Sequence, residues 1–359
     1  MPILQYLCLT HFKSYESASF DFSDTLNCIV GENGKGKTNL LDAVYYLCMT
    51  RSAFQHNDSL CIQHHQSGFT LFGRFRKQKE CYEVGVSFQN GKKKILKCNQ
   101  KEYEKLSEHI GKFPCVLICP YDYYLVQGGN EERRKFFDSI ICQTNVVYMQ
   151  NLLRYNQLLR QRNALLAHFL ETNTFDEDRI LPYDSWLVPL SETIMQHRKD
   201  FIQHFNLYFQ EAYAFLTDKK EDVELHYQAD VTIPFQKIFQ QNLSADRQAG
   251  RTLKGIHKDE YAFICNGFSL KKFGSQGQQK SFIIALKLAE FAFIYHQNRD
   301  KPILLLDDIF DKLDEHRIRK LLQLIEQGTF GQVFIADASP KRTKALFAQG
   351  QAVGNFIYL

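Results

Sequence analysis

One run of eight residues, Gly31-Glu32-Asn33-Gly34-Lys35-Gly36-Lys37-Thr38, holds the chemistry of a phosphate cradle. It matches G-x-x-x-x-G-K-[ST] at every fixed position. Glycines let backbone N–H groups converge on phosphate oxygens with no Cβ in the way. A helix starting there would aim its positive end at the same anion. Lys37 would reach the β- and γ-phosphates and the Thr38 hydroxyl would ligate Mg²⁺, with Asn39 completing the candidate set. A second run, Ile303-Leu304-Leu305-Leu306-Asp307-Asp308, is apolar and closes in two acids. As a buried strand it would carry Asp307 to its carboxyl end, beside the loop that follows the first strand. Asp307 would then hold Mg²⁺, directly or through water, and Asp308 would orient or deprotonate an attacking water. A glycine turn or an acidic strand end explains either run alone. The pair together reads as binding and hydrolysis of a nucleoside triphosphate with Mg²⁺.

The elements that must position these groups are legible from periodicity. Residues 26–30 form an apolar run ending in glycine, as a buried parallel strand does, and Leu40, Leu41, Val44, Leu47 and Cys48 follow at helical spacing. From about 68 to 96 the period becomes two, with Tyr82, Val84, Val86 and Phe88 alternating, and Asn90-Gly91 gives a type I′ hairpin signal. Glycine is absent from 130 to 218, where Leu152 to Leu170 predicts a long helix and Trp186 to Phe205 a second one after Pro182. A strand over 223–227 and a short helix over 235–243 follow, and α/β character returns from Gly255.

Composition sets mild bounds. In 359 residues, 44% are hydrophobic and 23% charged, with a formal charge of +4, so the balance neither demands nor excludes nucleic acid. Ten scattered cysteines include no C-x-x-C, which argues against zinc and for reduced thiols. Residues 1–12 do not read as a secretion signal, and the most apolar helical stretch, 282–295, contains Lys287 and Glu290 and is too short to span a bilayer. A cytoplasmic location without membrane is the expectation.

Ser275-Gln276-Gly277-Gln278-Gln279 precedes a helical stretch and lies upstream of Asp307. Here the chain resembles the ABC ATPase superfamily, whose signature loop has the form L-S-G-G-Q. The resemblance implies that Ser275, Gly277 and Gln278 act in trans on ATP held by a second subunit, two chains sandwiching two nucleotides head to tail. Lys312-Leu313-Asp314 falls at the spacing of the D-loop, which would touch the partner. The switch histidine of that superfamily is missing, since Val333-Phe334-Ile335 runs into Ala336-Asp337-Ala338, and Asp308 stands where glutamate is usual. Slow hydrolysis, suited to a switch, is expected. The fold class implied is α/β: an ABC-type P-loop ATPase head (mixed sheet plus antiparallel β lobe) from residues 1–125 and 250–359, with a helical insertion domain over 126–249.

Further blocks narrow the resemblance to the RecF family of DNA-repair ATPases. Phe12-Lys13-Ser14-Tyr15 resembles the N-F-R-x-Y opening, and residues 31–41 the G-x-N-G-x-G-K-T-N-L-L block. Pro120-Tyr121-Asp122 with Gly128 and Arg133-Arg134 to Asp138 is similar to P-x-D-L…G-x-x-x-x-R-R-x-x-L-D. Gly255-Ile256-His257-Lys258-Asp259-Glu260 is similar to G-P-H-R-D-D, departing at Ile256 and Glu260, and residues 275–281 to S-Q-G-Q-Q-R-S. The family implies an ATP-dependent homodimer that binds double-stranded DNA at single-strand/duplex junctions and, with RecR and alongside RecO, helps load RecA. Arg74, Arg76, Lys92, Lys93 and Lys94, on or beside the expected hairpin, are candidate DNA contacts, although edge strands also carry lysine against aggregation. Arg154, Arg160 and Arg162 read as a solvated face and Trp186 as core. Two rivals share the nucleotide motifs. A transporter subunit would lack the helical insertion and lysine-rich hairpin, and an SMC-like clamp would need a long heptad coiled coil.

Overall fold

A computed structural model describes residues 1–218, 220–310, 313–348 and 354–359. They divide into two compact units, Met1–Asp122 with Ile284–Leu359, and Tyr123–Ile283. The first begins with β1 (Pro2–Phe12), β2 (Tyr15–Asp21), β3 (Leu26–Val30) and α1 (Lys37–Met49). It continues through β4 (Gly68–Lys77), β5 (Glu80–Gln89), β6 (Ile95–Cys98), β7 (Lys101–Glu102) and β8 (Cys115–Ile118). The second unit contains α2 (Tyr124–Gln127), α3 (Asn130–Thr144), α4 (Val146–Thr172), α5 (Glu177–Thr217), β9 (Val223–Gln228), α6 (Phe235–Ala249), β10 (Glu260–Cys265), β11 (Phe268–Ser269) and α7 (Leu270–Phe273). Helix α8 (Gln276–Asn298) carries the chain back, and β12 (Ile303–Asp307), α9 (Glu315–Glu326), β13 (Val333–Asp337), α10 (Pro340–Ala348) and β14 (Gly354–Tyr358) complete the first unit.

Five strands of the first unit pair in parallel in the order β14-β3-β13-β12-β8. Every residue of β3, β8, β12 and β13 is buried, which is why these stretches read as continuous apolar runs without alternation. The antiparallel pairings form a separate sheet, β2-β1-β4-β5-β6-β7. Its strands alternate, turning Phe69, Leu71, Phe75, Val84 and Val86 inward against Leu41, Val44, Tyr46 and Leu47 of α1. Helix α1 is therefore buried, and its first turn, with Lys37 buried and Thr38 and Asn39 half-buried, cannot drift from the sheets that hold it.

The Asn90-Gly91 turn joins β5 to β6, but it is not type I′. Only Gly91 has a positive φ, at 75°, and Lys92 donates to the Gln89 carbonyl at 3.0 Å. Pairing resumes at Ile95 opposite Ser87. Before that, Lys94 turns inward, its ammonium donating to Asp58 at 2.7 Å, to the Thr50 carbonyl at 2.7 Å and to the Tyr46 hydroxyl at 3.0 Å.

Two buried arginines organise the second unit. Arg162 of α4, fully buried, reaches Asp184 of α5 at 2.6 Å, Asp246 of α6 at 2.8 Å and the Thr252 hydroxyl at 2.7 Å. Arg198 of α5 pairs with Asp138 and Asp259, each at 2.8 Å, and donates to the Ile256 carbonyl at 2.7 Å. The expectation that Arg162 lies on a solvated face is thus corrected: helical periodicity cannot tell a polar face from a buried ion-pair seam. Arg154 and Arg160 are exposed. Trp186, expected in the core, is 50% exposed and flanked by Tyr183 and the Arg154 guanidinium.

The compact units meet the chain at Asp122/Tyr123 and Ile283/Ile284, where the sequence reading divides it at 125/126 and 249/250. The later return follows from β10, which pairs with β9 from Glu260↔Gln228 to Cys265↔Val223 and so stays with the helical unit. Strand β9 is an edge whose backbone is covered by α5: Asn206 both donates to the Leu225 carbonyl (2.8 Å) and accepts its N–H (2.9 Å), and Gln210 donates to Val223 (3.2 Å). Among the described residues, no helix is long and apolar enough to cross a membrane.

Candidate functional site

Strand β3 ends at Val30, and the glycine run turns from it into α1. Gly34 and Gly36 take left-handed φ of 84° and 96°, which side chains resist. Gly31 has another constraint. A Cβ there would lie 2.7 Å from the Leu359 carbonyl oxygen, because β14 pairs alongside β3. Residues 32–35 are exposed at the surface, while Gly36 and Lys37 are buried. The Lys37 ammonium folds back over the loop and donates to the carbonyls of Gly31 at 2.8 Å and Glu32 at 3.0 Å. A polyphosphate would offer it stronger, charged acceptors in the same concavity.

Strand β13 lies between β3 and β12 with Ala336 opposite both Ile29 and Asp307, so the glycine loop and the two acids share one edge of the sheet. The Thr38 hydroxyl, in the first turn of α1, donates to both Asp307 carboxylate oxygens at 2.9 and 3.1 Å. This is the contact that joins the two motifs. Burial pushes the Asp307 carboxyl up to about 6; the Thr38 hydrogen bond and Lys37 oppose the rise, and the Asp308 charge adds to it. Asp308 takes a left-handed φ of 44° and its N–H donates to the Ala336 carbonyl at 3.1 Å, so the chain turns sharply as it leaves the strand.

No cluster of three or more His, Cys, Asp or Glu suited to a metal occurs among the described residues. Mg²⁺ needs none. It takes hard oxygens in octahedral array, usually one or two from protein and the rest from phosphate and water. Thr38 Oγ1 and the Asp307 carboxylate, already in contact, fit that demand.

The Ser275 run opens α8. The Ser275 Oγ accepts from the Gln278 N–H at 3.2 Å, while Gln278 Oε1 accepts from the Ser275 N–H at 2.7 Å, a reciprocal capping box. Accepting through its oxygen, the exposed Ser275 hydroxyl keeps its proton to donate. Gln278 also donates to Glu221 at 2.7 Å, and Gly277 lies in the first turn of the helix. These residues belong to the second unit, the glycine loop and acids to the first. Asp314 caps α9, accepting from the Arg317 N–H at 3.0 Å, and is exposed; Lys312 lies outside the described residues. Asp337 is fully buried at the end of β13, where it accepts from Thr343 Oγ1 at 2.6 Å, from the Ser339 N–H at 3.2 Å and from Arg342. Those bonds fasten α10 and leave it no likeness to an imidazole switch.

The basic candidates separate. Lys92 and Lys93 are exposed beyond the Gly91 turn. Arg74 faces Glu83 at 4.0 Å and Arg76 pairs with Asp24, both side chains remaining partly open. Lys94 does not present its charge to solvent, for the reason given above. The His257 loop is held from both sides: Nε2–H donates to the Thr252 carbonyl at 3.2 Å, so Nδ1 accepts from the Tyr155 hydroxyl at 2.8 Å. Burial lowers the His257 pKa to about 4, with the backbone bond to Thr252 opposing. Arg133 and Arg134 are brackets within the same unit, donating to the carbonyls of Leu125, Val126, Tyr261 and Asp259. Sequence reasoning gave no role to Ser14 and Tyr15, although the motif around them was visible. They contact the glycine loop directly: the Tyr15 hydroxyl donates to the Gly36 carbonyl at 3.1 Å, and Asn39 Nδ2 donates to Ser14 Oγ at 2.8 Å.

Known proteins resemble this chain over nearly its whole length. The family model described as the RecF/RecN/SMC N terminal domain matches residues 3–346. The DNA replication and repair protein RecF of Flavobacterium johnsoniae is 42% identical over 347 residues, covering 96% of each chain. A solved structure of the recombination mediator protein RecF-ATPrS in the RecFOR pathway is similar at TM-score 0.87 and 25% identity, over 95% of this chain and 93% of that one. The Smc head domain of Pyrococcus furiosus, bound to the C-terminal domain of ScpA, is similar in fold at TM-score 0.54 and 17% identity, over 99% and 93%.

Proposed function

Because this chain belongs to the RecF branch of the RecF/RecN/SMC N-terminal domain family, we propose that it is an ATP-dependent DNA-binding protein of recombinational repair and replication. ATP with Mg²⁺ occupies the cradle of residues 31–39, two chains close head to tail around two nucleotides, and the closed dimer holds duplex DNA at gaps. Slow hydrolysis resets it, and in the pathway it acts with RecR and RecO to load RecA. The observation that carries this reading is the Thr38–Asp307 hydrogen bond, which joins a complete phosphate loop to the acid beside it at one sheet edge. Relatives named for DNA replication and repair, and the solved RecF-ATPrS structure, support the cellular role and the nucleotide.

Each residue then has a task. Backbone N–H groups of the loop bind phosphate oxygens, and Lys37 leaves its two carbonyls to neutralise the β- and γ-phosphates. Thr38 and Asp307 would hold Mg²⁺, which would supply neutralisation of phosphate charge. Asp308 orients the attacking water and takes its proton. Ser275 and Gly277 of the partner subunit close over the γ-phosphate, completing a site that one chain leaves open. Lys92 and Lys93 contribute contacts to DNA phosphates.

The test is assembly under nucleotide control. Light scattering should find a largely monomeric chain that dimerises with ATP, and gapped duplex should be bound in preference to plain duplex or single strands only when ATP is present. Lys37→Ala should lose nucleotide binding, dimerisation and the gap preference together. A chain that hydrolyses ATP at full rate while remaining a monomer would overturn the proposal.

A further inference from the structure

The turn between β1 and β2 touches the phosphate loop and its helix at three places spaced three residues apart. The Tyr15 hydroxyl donates to the Gly36 carbonyl at 3.1 Å. The Ser14 hydroxyl oxygen accepts from Asn39 Nδ2 at 2.8 Å. The Lys13 ammonium pairs with the buried Asp42 carboxylate at 2.6 Å. Positions 36, 39 and 42 lie on one face of a helix. A Cβ on Gly36 would sit 3.0 Å from both the Ser14 and the Tyr15 oxygens, so the turn presses against the back of the glycine loop with no slack.

The geometry assigns Lys13-Ser14-Tyr15 as the positioning element of the phosphate loop, with Tyr15 as its principal residue. The reason lies in the peptide plane. In a trans peptide the N–H points opposite to the preceding C=O. Fixing the Gly36 carbonyl toward Tyr15 therefore aims the Lys37 N–H the other way, toward the anion. Gly36 is a residue that needs such fixing, since its left-handed φ and missing side chain leave that plane loosely restrained. The Gly36 carbonyl also accepts the Leu40 N–H at 2.9 Å, so losing the phenol removes one of two restraints without breaking the helix. Burial pushes the Tyr15 phenol up to about 12, which keeps it a proton donor at all working pH. Tyr15 touches no phosphate in this scheme; it acts through the peptide that does. The inference rests on the nucleotide reading of the loop.

The experiment compares Tyr15→Phe with Ser14→Ala and Lys37→Ala in the full chain, using ATP-Mg²⁺ as the probe. Tyr15→Phe keeps the ring, which packs edge-on against Phe20. Isothermal calorimetry should give ATP binding weaker by roughly 3- to 10-fold, the effect of one hydrogen bond. The melting temperature without nucleotide should be unchanged, the rise produced by ATP should shrink, and KM should increase while kcat changes less than about twofold. Ser14→Ala should lose about twofold or less, because Asn39 can turn to water. Wild-type affinity in Tyr15→Phe would overturn the assignment, as would an equal loss of stability in the nucleotide-free protein, which marks a packing role. If Lys37→Ala binds ATP as the unmodified chain does, the nucleotide reading itself falls and takes this inference with it.

Discussion

A carboxylate that activates water must be near the γ-phosphate and must not be held by the metal. In the proposed mechanism Asp307 and Asp308 divide these duties by backbone conformation. Asp307 ends the strand and accepts from Thr38, while the left-handed turn at Asp308 points the next carboxylate along a different direction. Aspartate tolerates such a φ better than most residues, against a general cost of roughly 1–2 kcal/mol. Asp308→Asn should preserve ATP affinity within a few-fold and lower turnover by at least roughly 100-fold, the usual scale for a lost general base. A rapid-quench or coupled phosphate assay would measure it, and the ATP-bound dimer should accumulate. Both acids were legible in the sequence because hydrophobic runs ending in Asp-Asp are local. The Tyr15–Gly36 contact was not, since it joins residues 21 apart through a hydrogen bond to a carbonyl that no residue type advertises.

Among elements, the loop from Thr252 to Asp259 depends on helices α4 and α5 for its shape. Arg198 is its main tie, buried among Asp138, Asp259 and the Ile256 carbonyl. Removing one member of such a set leaves an uncompensated buried charge. Arg198→Met should lower the stability of the second unit by about 3–5 kcal/mol, read from the urea midpoint followed by circular dichroism. His257 in the same loop gives a pH signature. Its pKa in the folded chain is about 4, below the ordinary 6.5, so the unfolded chain takes up the proton first. The contribution is whole above about pH 6.5 and is lost as pH falls toward 4, by roughly 1–3 kcal/mol. Melting curves between pH 7 and 4.5 should show His257→Gln with a flatter slope than the unmodified chain. Periodicity predicted α4 and α5 as helices, yet it placed Arg162 in solvent and Trp186 in the core. A helix pattern records which positions are apolar; it does not record that Asp184, Asp246 and Thr252 converge on one arginine from three other segments.

At the scale of the whole molecule, the proposed binding of DNA would be governed by charge. Phosphate contacts release counterions, so affinity falls with salt in proportion to the number of lysines engaged. Replacing Lys92 and Lys93 with alanine should reduce the slope of log K against log salt by about one for each lysine that touches DNA. Lys94→Ala should leave the slope alone and instead loosen α1, because Lys94 ties Asp58, Thr50 and Tyr46 together. The family blocks along the chain gave the fold class and the order of motifs, since each block is contiguous. The point at which the chain returns to the first unit was less visible, being set by the long-range pairing of β10 with β9.

That pairing leaves β9 with one open side, and α5 covers it with Asn206 and Gln210. An uncovered strand border is sticky toward any extended polypeptide, whether or not ATP is present. A machine whose subunits are to meet only on a chemical signal has to silence every other adhesive surface. Two amides lying along one strand quiet this border here, as the proposed timing of assembly by the nucleotide requires.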